Sequence, residues 1–191
     1  RVFHGFIAGD AVGNTLFMAH ILLALSITAG GPLQLIPQLR GRFRTFHRWN
    51  GRFYVAIALI ISLGALALVY SRGVIGGSVM ALGNTINAVA IIGFAIMTFR
   101  TAIARDIRSH HRWALRLFMA VCGGWCFRLG FGFYAIATGG EMPGSQMDLE
   151  GPFDRFLACG HAIIPVLLLE LFLRARDHGG LRGVRREAPV R

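Results

Sequence analysis

Five long apolar runs, nearly free of charge, limit what this chain can fold into. They lie at about 14–36, 53–70, 79–99, 113–138 and 156–173, and most charged residues fall between them. A helix needs about 20 apolar residues to cross a bilayer core. The expected fold is therefore all-α: a polytopic membrane helical bundle with five transmembrane helices. Charged residues make up only 15% of the 191, against roughly 25% in soluble domains. A net charge of +11 would suggest a nucleic-acid partner in a soluble protein. Here the basic residues flank apolar runs, so the partner they point to is the membrane surface and its anionic headgroups, with no nucleic acid.

Orientation follows from the arginines, which supply every basic residue, as there is no lysine. Arg40, Arg42, Arg44 and Arg48 crowd one link, Arg100, Arg105, Arg108 and Arg112 another, and more fill the tail. The remaining links hold Arg72 and, at 139–154, a set of acids. The positive-inside rule puts the arginine links and the C-terminus in the cytoplasm. The expected layout is an outer or interfacial lead-in at 1–13, one bundle at 14–175 and a cytoplasmic arginine-rich tail at 176–191. Five crossings place Arg1 outside, which calls for an export signal or a helix ahead of it.

The bundle is expected to contain a parallel repeat. His47-Arg48-Trp49-Asn50-Gly51-Arg52 and His111-Arg112-Trp113-Ala114-Leu115-Arg116 both read H-R-W-x-x-R, and each opens an apolar run after an arginine-rich turn. Gly13-Asn14-Thr15 and Gly83-Asn84-Thr85 stand near the start of the first helix of each pair. Two hairpins packed side by side make a four-helix bundle, with the fifth helix against it. Gly30-Gly31-Pro32 and Pro37 are expected to break or bend the end of the first run. Cys122, Cys126 and Cys159 sit in apolar runs without zinc or disulfide spacing and read as small hydrophobes.

The spaced polar residues carry a resemblance. His20, Gly31-Pro32-x-Gln34, Pro37, Arg40, His47-Arg48-Trp49-x-Gly51-Arg52-x-Tyr54, His110-His111-Arg112-Trp113-x-x-Arg116 and Arg128-Leu129 form the pattern. It resembles an uncharacterised family of predicted bacterial multi-pass membrane proteins, known only as a domain of unknown function. The resemblance implies a bundle in the bacterial inner (cytoplasmic) membrane and brings no activity with it.

Ionisable residues inside membrane helices lean toward function because their burial is costly. Counting about 1.5 Å per residue, His20, His161 and Arg128 each lie roughly 8–9 Å below the outer surface. Two neutral imidazoles at one depth are suited to ligate the iron of a b-type haem, with the arginine clamping a propionate. The same trio suits a quinone headgroup. It also suits plain structure: an interhelical hydrogen bond for a histidine, and a snorkelling Arg128 or one paired with Asp154 or Glu150.

A second cluster, His47, His111, Arg52 and Arg116, stands at the cytoplasmic mouths of two helices, with Glu170 near enough to meet Arg116. These residues begin helices at the wet interface. Arginines holding lipid phosphate and tryptophans fixing depth account for them; a haem or quinone site and a protein docking surface are the alternatives. Gly123-Gly124 read as a close-packing site. No P-loop, nucleotide-binding glycine motif or nucleophile–base pattern is present. The functional expectation is a b-type haem electron-transfer or redox subunit with His20 and His161 as axial ligands. The alternatives are a non-enzymatic accessory or anchor subunit among other membrane protein subunits, and a quinone- or lipid-binding protein.

Overall fold

The apolar runs form helices that are longer than the runs themselves. A computed structural model describes residues 7–139 and 151–186, and among them every regular element is helical. The elements are α1 (Ala11–Leu35), α2 (Pro37–Arg42), α3 (Arg44–Arg72), α4 (Gly77–Ile103), α5 (Ile107–Val121), α6 (Gly123–Ala137) and α7 (Pro152–Arg186). α1, α3, α4 and α7 are each long and apolar enough to cross a membrane. α5 and α6, which meet at a 44° bend at Cys122, are together long and apolar enough for a fifth, broken span or for a re-entrant loop. Leu22, Leu25, Ile60, Leu63, Leu167 and Leu168 are exposed on the outside of the bundle, where lipid rather than water favours them.

The structure departs from the expected boundaries in five places. α1 runs through Gly30-Gly31-Pro32 and stops at Ile36, the residue before Pro37. Proline disfavours helical backbone in the residue before it, and Ile36 is accordingly extended (φ −70°, ψ 113°). The first H-R-W-x-x-R lies inside α3, which starts at Arg44 rather than near 53. The second lies inside α5, whose first turn is capped by Asp106 accepting from the Ser109 amide at 3.0 Å. The fourth apolar run folds as two helices meeting at a bend rather than as one continuous helix. Finally, Gly83-Asn84-Thr85 sits in the second turn of α4, whereas Gly13-Asn14-Thr15 lies in the first turn of α1, so the two copies are not equivalent.

α4 is the central helix and packs on α3, α5 and α7, while α1 packs on α3. Small residues set the closest approaches. A Cβ on Gly83 would strike the Ala158 carbonyl of α7, and one on Gly123 would meet the His161 carbonyl at 2.8 Å. Without a hydrophobic drive between helices in lipid, this close backbone packing supplies the attraction. The buried core joins Ile27 of α1, Tyr54, Ile57 and Ala58 of α3, Ile91 and Ala95 of α4, and Leu117 and Ala120 of α5. Two ion pairs tie α5 to α7 at the arginine-rich end: Arg116–Glu170 and Arg112–Asp177, both at 2.6 Å.

Candidate functional sites: two cavities at opposite ends of the bundle

The core partitions two cavities. Ile27, Ala58 and Ile91 wall one of about 350 Å³; Tyr54 and Leu117 wall the other, of about 620 Å³. Both volumes fall within the range for small-molecule sites, about 300–1,000 Å³.

The smaller cavity lies away from the arginine-rich end. His20 of α1, Arg128 of α6 and His161 of α7 all line it, so the structure brings the first cluster together. His161 is buried, and its Nδ1 lies 3.1 Å from the Leu157 carbonyl. A carbonyl can only accept, so Nδ1 carries the hydrogen of the neutral ring and Nε2 keeps its lone pair. The ring stands edge-on to Phe127, with centroids 5.4 Å apart. His20 contacts the backbone of Ile61, while its buried Nδ1 has no hydrogen-bond partner. Arg128 is exposed and donates to the Gly124 carbonyl of its own helix at 3.0 Å. Asp154 instead accepts from the Gly151 amide at 2.9 Å, and Glu150 lies outside the described residues.

Sequence reasoning missed Ser62 and Asn87. Both line the same cavity, and each has a buried oxygen without a partner. They are single polar residues within apolar helices, a signal the sequence carried.

The larger cavity lies at the arginine-rich end. It takes His47 and Arg52 from the second predicted cluster but neither His111 nor Arg116. The neighbouring His110 lines it instead, with Nδ1 3.0 Å from the Thr98 carbonyl. Gln34 and Tyr54, unassigned from sequence, complete its polar lining, and the Gln34 amide nitrogen and Tyr54 hydroxyl are buried without partners. Arg116 serves structure: it ion-pairs Glu170 and lies 4.6 Å from the Trp113 ring centroid. Arg52 lies over Trp49 in the same way, at 5.3 Å.

The repeated motif thus builds the same local brace twice, since residues three apart share a helix face. The two copies then diverge. Trp113 packs on Phe94 of α4 at 5.9 Å, whereas Trp49 is 65% exposed.

Six buried side-chain polar atoms among the described residues have no hydrogen-bond partner. Five belong to the lining of these two cavities; the sixth is on Asp154. Unsatisfied buried polar groups are few in native structures and costly where they occur. Their concentration makes the two cavities the candidate functional sites of the described residues. Among the described residues no group of three or more His, Cys, Asp or Glu side chains could hold a metal ion.

Fold and cavities together define a polytopic helical membrane protein with a cavity toward each end, each mostly apolar and carrying a few buried polar groups. A family model described as "Predicted membrane protein (DUF2306)" matches residues 17–146, and the chain belongs to that family. The matched region covers both H-R-W-x-x-R motifs and most of α1 through α6, while His161 and Glu170 lie beyond it. No curated protein and no solved structure matches the chain.

Proposed function

We propose that this protein is a b-type haem-binding electron-transfer or redox subunit of a bacterial inner membrane. His20 and His161 are its axial ligands, and the arginine-rich end and C-terminus face the cytoplasm. One observation carries the reading: two histidines from different helices, α1 and α7, line a single cavity with an arginine at its edge. The Leu157 hydrogen bond supports it, because a Nδ1–H held by a carbonyl fixes the ring and leaves Nε2 available, the usual arrangement of a ligating histidine. Bound haem would supply one-electron chemistry. The chain's own residues would orient the two imidazoles, hold a propionate with Arg128 and exclude water with the apolar walls. The cavity, at about 350 Å³, is small for a porphyrin, and Trp125 and Arg128 at its rim are exposed. The concentration of arginine at one end supports the sidedness.

The visible spectrum of the purified protein, oxidised and reduced, tests this reading. A Soret band is expected, with haem content falling in His20→Ala and in His161→Ala. No band in haem-supplemented preparations, or unchanged content in both variants, would overturn it.

A further inference from the structure

The larger cavity combines features that neither the haem reading nor the family match accounts for. Its mouth holds Arg48 and Arg52, and among the described residues no carboxylate lines it. Below the arginines, Gln34 and Tyr54 present an amide nitrogen and a hydroxyl, both buried and unpartnered. Tyr54 is only 7% exposed. The room around these groups is set by glycines. A Cβ on Gly51 would lie 3.4 Å from the Gln34 side-chain oxygen, and one on Gly31 would lie 3.2 Å from the Tyr54 ring. Opposite them, the His110 Nδ1–H is held by the Thr98 carbonyl at 3.0 Å, which leaves Nε2 as the ring nitrogen for another partner. Besides His47 and Thr98, the remaining wall is apolar, with Val55, Phe99, Ala102, Ile103, Ala114 and Leu117. Phe99 and Ile103 are 46% and 67% exposed and open this wall toward lipid.

We infer that this cavity binds the headgroup of a membrane quinone, with Gln34 and Tyr54 donating to a ring carbonyl and the isoprenoid tail leaving past Phe99 and Ile103. The donors are neutral, sit in an otherwise apolar wall and lack acceptors of their own; a ring carbonyl is a neutral acceptor carried on an apolar body. A phosphate would be held by Arg48 and Arg52 at the mouth and would leave both deeper donors unsatisfied, since taking an ionised group further in is costly. His110 contributes an acceptor for the hydroxyl of the reduced ring. This assignment stands apart from the haem reading, being made at the other end of the bundle by other residues.

The test is equilibrium binding of a short-tailed ubiquinone and of menadione to the full chain in nanodiscs of neutral lipid, followed by quenching of tryptophan fluorescence. Saturable binding is expected for at least one probe. Each of Tyr54→Phe and Gln34→Leu should weaken it about 3–10-fold, the range of one hydrogen bond, and the double variant by more than either. Thermal midpoints of the variants verify that they fold; should Gln34→Leu fail to fold, Gln34→Met, which also removes the amide donor, replaces it and should also weaken binding. Equal affinity in the wild type and the folded variants overturns the assignment, as does full displacement of the probe by an anionic phospholipid. Quinone binding in preparations with no Soret band would leave this site standing while the haem reading fails.

Discussion

Gly83→Ala adds one methyl group at the closest approach of two membrane helices. Its Cβ would lie 2.5 Å from the Ala158 carbonyl carbon and nearer still to the oxygen, against an ordinary contact distance of 3.4 Å or more. The obstruction is backbone, so no rotamer change relieves it, and α4 and α7 must part by about an ångström. Overpacking of this kind costs about 1–3 kcal/mol. For a chain of this length that corresponds to a fall of roughly 2–12 °C in thermal midpoint. His161 follows Ala158 by less than one turn of α7, so the same displacement should also loosen the smaller cavity and lower any haem content. The assay is thermal unfolding in one detergent of Gly83→Ala beside Gly93→Ala. Gly93 lies on the same helix, and a Cβ there meets nothing within 4 Å. Its replacement should be neutral or stabilise slightly, since alanine favours helix by up to about 1 kcal/mol. A midpoint for Gly83→Ala equal to or above that of Gly93→Ala would refute the close packing of α4 on α7.

Arg116 and Glu170 form a coupled pair, so Arg116→Leu and Glu170→Leu should each lower the midpoint, and the double variant should lose less than the sum of the two. Strict additivity in a double-mutant cycle would contradict the contact. Trp113→Ala should destabilise by about 1 kcal/mol or more beyond Trp49→Ala, because only Trp113 packs on a second ring across helices; equal losses would contradict this. At the opposite end, the hydrogen bond from Arg72, with a smaller one from the Gly13 amide, holds the Asp10 carboxyl below its ordinary value. Its folded value therefore lies below its unfolded one, so this tie contributes fully above the ordinary carboxylate range, about pH 4, and is lost as pH falls through the lowered value. The stability gap between wild type and Asp10→Asn should thus hold at neutral pH and shrink in acid; a gap that is no narrower below about pH 4 than at neutral pH would exclude the assignment.

Both candidate sites were partly legible in the sequence, for different reasons. His20, Arg128 and His161 stood out because an ionisable group in an apolar run is conspicuous, and helix rise converts position into depth. Ser62 and Asn87 carried the same signal more weakly, since one small polar residue in a membrane helix is common. At the arginine-rich end the doubled motif drew attention to His47 and His111, yet His110 is the second histidine in the cavity. Neighbours on a helix are turned by about 100°, and a hydrophilic first turn offers no apolar pattern to say which one faces inward. Gln34 and Tyr54 stood in the family pattern without a role, because nothing in the sequence says that polar groups on α1 and α3 face one cavity.

Alternation of apolar runs with arginine clusters was enough to determine an all-helical polytopic chain, because a lipid core admits few ways to satisfy the backbone. It also marked the arginine-rich end, and matched spacing exposed the repeat. Which copies are equivalent, which polar atoms lack partners and which of them share a cavity were decided only by the tertiary structure. Those properties depend on where glycines let backbones meet, as at Gly83 against Ala158 and Gly123 against His161, and on how each helix is rotated. In lipid, a helix apolar on every side shows no preferred face in its sequence, so its rotation is set by the neighbours it packs against.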